Sequence, residues 1–154
     1  MIELSVETAM PRVIAINIST KKGVPKQTIP MGEFITNFGL KDDAHAGDWH
    51  RQVSFLGQES IDRMAAQGIK GLSPGKFAEN ITTENIVLYE LSIGDKLIIG
   101  ETVFEVTQIG KECHMKCAIY HQLGKCVMPN EGIFAKVLHG GIIRPGDPIK
   151  IKNE

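Results

Sequence analysis

No run of apolar residues in this chain approaches the roughly 20 needed to cross a bilayer. The opening Met1-Ile2-Glu3-Leu4-Ser5-Val6-Glu7 lacks the basic region and apolar stretch of a secretory leader, so the cytoplasm is the expected compartment. An excess of charge is missing as well. With 17 Lys plus Arg against 18 Asp plus Glu, the chain has no global attraction for nucleic acid or an anionic membrane, and any anion site must be local. No linker or low-complexity tract breaks the sequence, and residues 1–154 are read as a single domain. Cysteine is scarce too. The three present all fall between Cys113 and Cys126, which in a reducing compartment points to chemistry or metal binding rather than a disulfide framework.

What is there suits an ordinary globular protein: 42% hydrophobic and 23% charged residues, enough to bury a core without staples. Val13 to Ile18 has the β-branched content of a strand and runs into the turn formers of Lys21-Lys22-Gly23-Val24-Pro25-Lys26. Gly39 to Asp48 has neither helical nor strand periodicity and reads as an irregular surface loop. After a short strand at Gln52 to Leu56, Gln58 to Gln67 places Ile61, Met64 and Ala65 on one helical face, with Gly68 as its stop. Lys96 to Ile99 and Thr102 to Val106 flank Gly100-Glu101 as a two-residue hairpin. A second helix is predicted over Glu131 to Leu138, where Ile133, Phe134, Val137 and Leu138 make one stripe before Gly140 and Gly141. Gly94-Asp95 and Gly146-Asp147, each leading into a strand-like run, predict similar local turns. Short strands with frequent Gly/Pro turns favour a mainly β, barrel-like domain with a few helices.

Chemistry-bearing residues concentrate in Lys111-Glu112-Cys113-His114-Met115-Lys116-Cys117 and continue to Cys126. A thiolate is the nucleophilic and metal-binding form of cysteine, and neighbouring lysines favour it. The bland alternative is a set of small buried side chains. Another is a structural zinc site built from Cys113, His114, Cys117 and Cys126, although adjacent Cys113 and His114 do not easily point at one ion. In the loop Lys41 to Arg51, acids lack the regular spacing of a hard-cation site, while His45 and Arg51 are suited to grip phosphate or tune a thiolate. Asn80 is either a turn residue or a polar ligand contact.

In their order along the chain, His45-Ala46-Gly47, Arg51-Gln52-Val53-Ser54, Glu79-Asn80-Ile81 and the Cys113–Cys126 cluster resemble the MOSC family, the domain found at the C-terminus of molybdenum-cofactor sulfurases. Short stand-alone bacterial members are the nearest in appearance. The resemblance implies a β-barrel-type fold and one cysteine that ligates molybdenum or carries sulfur. Cys117 is the match for it, with Cys113 as rival because the residue before Cys117 is Lys116 where related sequences often have Pro or Arg. Cys126 would resolve an oxidised or persulfidated Cys117, or simply pack. The pterin cofactor, molybdopterin, would draw on His45, Arg51, Asn80, Lys111 and His114. The expected function is cofactor binding or sulfur carriage in cofactor maturation; the alternatives are a molybdenum-dependent reductase of N-hydroxylated compounds and a non-catalytic zinc-stabilised module. The chain has no room for a pyridoxal-phosphate domain, so the resemblance also implies a partner: a cysteine desulfurase as sulfur donor, or an electron-donor protein.

Overall fold

The computed structural model describes residues 10–110 and 127–153. Eleven strands are described: β1 (Arg12–Ile18), β2 (Gln27–Ile29), β3 (Gly32–Ile35), β4 (Gly39–Leu40), β5 (Val53–Gly57), β6 (Ile81–Glu84), β7 (Lys96–Ile99), β8 (Thr102–Ile109), β9 (Ile133–His139), β10 (Gly141–Ile143) and β11 (Lys150–Lys152). Among the described residues helix α1 (Gln58–Ala66) is the one α-helix of more than a turn, and α2 (Met128–Glu131) is a single turn. Eight strands in the order β11-β7-β8-β9-β5-β6-β1-β2 form one sheet curled into a half-barrel, and β10-β3-β4 form a second, smaller sheet. This is the mainly β architecture that the short strands predict.

Among the described residues every strand pairing is antiparallel except β5 with β6. A parallel pair needs a crossover, and residues 58–80 supply it with α1 lying against the sheet. The hairpin of β7 and β8 has the predicted two-residue turn, with Ile99 opposite Thr102 and Gly100 at φ +61°. The two Gly-Asp turns are alike in detail. Asp95 Oδ2 accepts from the Ser92 amide at 2.9 Å, and Asp147 Oδ2 from the Arg144 amide at 2.8 Å. In each, a valine amide (Val106, Val13) also bonds the aspartate carbonyl.

The main core lies inside the curl, with Ile16, Phe34, Phe55, Phe104 and Ile133 at its centre. Phe104 meets Phe34 and Phe55 edge-on, at ring-centre distances of 5.5 and 5.1 Å. A second cluster, Leu56, Ile61, Met64, Phe77 and Phe134 among others, fills the space beneath α1. Strands β5 and β9 are therefore covered on both faces, with Phe55 and Ile133 facing one cluster and Leu56 and Phe134 the other.

That double burial corrects the helix expected over Glu131 to Leu138. Only Met128–Glu131 is helical; Ile133–His139 is a central strand bonded to β8 and β5. A strand buried on both faces has no polar alternation, and its apolar run satisfies a helical template equally well. Within α1, Ile61 and Met64 are buried with Ser60, but Ala65 faces solvent and does not belong to the stripe assigned to it.

Phe104 packs against two other rings in the main core, and Phe104→Ala is expected to lower unfolding stability by about 3–5 kcal/mol. Denaturant titration of both proteins checks this; a shift below about 1 kcal/mol would show that the core collapses around the gap.

Candidate functional site

The loop between β1 and β2, the loop between β4 and β5, and the crossover segment before β6 meet at one end of the sheet. Lys26, just before β2, joins them. Its amide donates to the carbonyl of Gly75 at 2.7 Å, an approach that only glycine allows: Gly75 has φ +90°, and a Cβ there would collide with the Lys26 carbonyl.

The Lys26 side chain is wholly buried, and its ammonium has three partners: Asp43 Oδ1 at 2.8 Å, Ser19 Oγ at 2.9 Å and His45 Nδ1 at 3.2 Å. The Asp43 side chain is equally buried. Its Oδ1 also accepts from the Ser19 amide at 3.0 Å and its Oδ2 from the His45 amide at 3.0 Å. Burial holds the Lys26 pKa below the ordinary lysine value despite its carboxylate partner. For Asp43 burial pushes upward, but the hydrogen bond and charge of Lys26, with the Ser19 amide and the Asn80 amide beside it, outweigh burial and hold the carboxyl below its usual range.

His45 is fixed at three points. Asp43 holds its amide, the Trp49 indole N–H donates to its carbonyl at 2.7 Å, and Lys26 contacts its ring. The imidazole lies parallel to the indole at 6.5 Å. Lys22 Nζ stands over Trp49 at 4.7 Å, and the Arg51 guanidinium lies 5.6 Å from the Trp49 ring and 5.5 Å from that of Phe134. Arg51 Nε is buried and, among the described residues, has no hydrogen-bond partner. The far end of this loop is tied to a bulge in β8, where Thr107 bonds the His50 carbonyl and Gln108 Oε1 meets His50 Nε2 at 2.8 Å.

Behind Asp43 lies a buried amide network. Asn80 Oδ1 accepts from the Ser54 amide at 3.0 Å, and Asn80 Nδ2 donates to the Asn17 carbonyl at 3.2 Å. Asn17 Nδ2 donates to Glu79 O and Thr82 Oγ1, both at 3.0 Å. Glu79 is fully buried; burial raises its pKa against the pull of the Gly75 amide and the Thr82 hydroxyl, both on Oε2. Asn80 is thus a structural bridge between strands rather than a turn residue.

Of the residues singled out in the sequence, His45, Arg51 and Asn80 therefore gather at one end of the sheet. Lys111, Cys113, His114, Cys117 and Cys126 lie outside the described residues. The chain returns at Val127 and Met128, and Met128 lines the same small concavity as His45, Ser54 and Phe134. Among the described residues no group of three or more His, Cys, Asp and Glu is placed to hold a metal ion, and no helix is long and apolar enough to span a membrane. Sequence reasoning gave no role to Lys26, weighed Asp43 only among the acids of its loop, and used Glu79 only as part of Glu79-Asn80-Ile81. A signal for this network was Asn17, a polar residue in the apolar run from Val13 to Ile18.

The model of the MOSC domain matches residues 42–150, and the chain belongs to that family, which is associated with the molybdenum cofactor. Its fold is similar to that of YuaD from Bacillus subtilis, with a TM-score of 0.77 and 16% identity over 94% of this chain and 98% of that one. It is also similar to YiiM from Geobacillus stearothermophilus (TM-score 0.71, 21% identity, 93% and 75% covered) and to YiiM from Escherichia coli (0.66, 16%, 93% and 70%). Among proteins of curated function, none matches the sequence.

Asp43→Asn would leave the buried Lys26 charge without its counter-charge, and is expected to cost roughly 3–5 kcal/mol in chemical denaturation. Because the Asp43 pKa is lowered on folding, its contribution is present above the ordinary carboxylate range and lost as pH falls through that range towards the folded value. The variant should therefore lose less stability on acidification than the wild type.

Proposed function

We propose that this chain handles the pterin-based molybdenum cofactor, with Cys117 as the thiolate that binds the metal or carries sulfur to it. The observation that supports the reading is the end of the sheet just described. His45 is held rigidly there, Arg51 has a buried Nε without a partner among the described residues, and Lys22 and Trp49 stand beside it. An unpartnered guanidinium N–H is suited to a phosphate or pterin acceptor, and these residues fit such a group. Arg51 and Lys22 would hold its anionic portion, His45 would orient it, and Cys117 would supply a soft sulfur ligand. When bound, the cofactor supplies redox chemistry at molybdenum.

In the carrier role the Cys117 thiolate attacks the terminal sulfur of a donor persulfide, such as that of a cysteine desulfurase. The donor's S–S bond breaks, its thiolate leaves, and Cys117 carries the sulfane sulfur as a persulfide. The sulfur must come from a partner.

The test is elemental analysis of molybdenum, zinc and labile sulfur per chain, on wild type, Cys117→Ala and Arg51→Ala purified anaerobically from a cofactor-producing host. Molybdenum or labile sulfur is expected on the wild type and absent from Cys117→Ala, with molybdenum reduced in Arg51→Ala. Stoichiometric zinc with neither of the others would overturn the reading.

A further inference from the structure

The buried Lys26 ammonium lies 3.2 Å from Nδ1 of His45. A lysine ammonium has three N–H donors and no acceptor. Here the three partners are Asp43 Oδ1, Ser19 Oγ and His45 Nδ1. Asp43 is a carboxylate and accepts. Ser19 can only accept from Lys26, because its own hydroxyl proton is directed to the Lys21 carbonyl at 2.9 Å. The third donor must then meet a lone pair on Nδ1. Asp43 Oδ2, the usual kind of partner for an Nδ1 proton, lies 3.9 Å from that atom, beyond hydrogen-bond reach, and already accepts from the His45 amide.

We infer that Lys26 is a positioning residue that locks His45 as the neutral imidazole protonated at Nε2, so that the ring acts in the site as a hydrogen-bond donor and not as a base. A second proton placed on Nδ1 would point at an ammonium. Among the described residues, Lys22 and Arg51 across the indole are also cationic and oppose a charged ring. A ring fixed in this way suits an anionic partner, whether a thiolate or an oxyanion of a ligand. The assignment rests on the Lys26 geometry and does not depend on the proposed function.

Nitrogen-15 NMR of the ring nitrogens at neutral pH reads the tautomer directly, because protonated and unprotonated nitrogens resonate far apart; comparison with His45→Gln identifies the His45 signals. In the wild type, Nε2 is expected to be protonated and Nδ1 bare. In Lys26→Met, which removes the donor but keeps most of the side chain, Nδ1-protonated ring should appear as that atom turns towards Asp43. A purely structural lysine would leave the tautomer unchanged in the variant. An Nδ1-protonated ring in the wild type, or the same tautomer in both proteins, would overturn the inference. If Lys26→Met does not fold, the wild type is read for a scalar coupling between Lys26 Nζ and His45 Nδ1, which is expected if the ammonium donates to that nitrogen and whose absence would overturn the inference.

Discussion

Taking an ammonium and a carboxylate out of water is costly, and their mutual attraction repays it only where the remaining donors and acceptors are also satisfied. Lys26 and Asp43 meet that condition: both side chains are fully buried, and every Lys26 N–H has a partner. Three separate pieces of chain depend on the pair. Ser19 and Lys26 belong to the β1–β2 connection, Asp43 and His45 to the loop after β4, and the Gly75 carbonyl to the crossover beyond α1. An apolar pair of the same volume would commonly be as stable. What an apolar pair cannot do is orient a backbone amide and an imidazole at once, which suggests that this ion pair serves the geometry of the site more than the stability of the sheet.

The same end of the molecule depends on the parallel pairing of β5 with β6. Placing β6 beside β5 brings Asn80, at the entrance to β6, over Ser54, and the antiparallel partner β1 brings Asn17 to its other side. The turn into this position is tight: Ala78 has φ +66°, and its carbonyl is held by the Ser54 hydroxyl at 3.2 Å. A left-handed alanine is uncommon and persists where surrounding contacts determine it. Here the bonds of Ser54 and Asn80 do so, and the strand order, the buried amides and the support behind Asp43 form one connected structure.

Much of this was legible in the sequence, for identifiable reasons. The β7–β8 hairpin announces itself because Gly100 supplies a positive φ between two alternating runs, and α1 because Ile61 and Met64 are spaced on one face. The half-barrel followed from many short strands, and His45, Arg51 and Asn80 from their place in a family pattern. Strand β9 was hidden by its own burial: Ile133, Phe134 and Ala135 are apolar in succession because both faces are covered, and Gly140 with Gly141 imitates a helix stop. Lys26 was hidden for a different reason. A lysine after Val24-Pro25 has the composition of a solvated turn, and nothing local reveals a carboxylate 17 residues further on that will bury it. Long-range pairing of opposite charges leaves no periodic trace in a sequence.

The open edges of the large sheet have their own consequence. The segment entering β11 bridges to β1, with Arg12 opposite Pro148 and the Ile149 amide on the Pro11 carbonyl at 2.9 Å, but among the described residues β11 and β2 are the outermost strands, and unpaired backbone groups at such margins invite strands from other molecules. At one margin, β11 is three residues long, all of them exposed, with Lys150 and Lys152 flanking Ile151. At the other, β2 is equally short and is followed at once by Pro30, which has no N–H to offer. Brevity, cationic repulsion between like edges and a missing donor discourage edge-to-edge growth at these two margins of the described sheet.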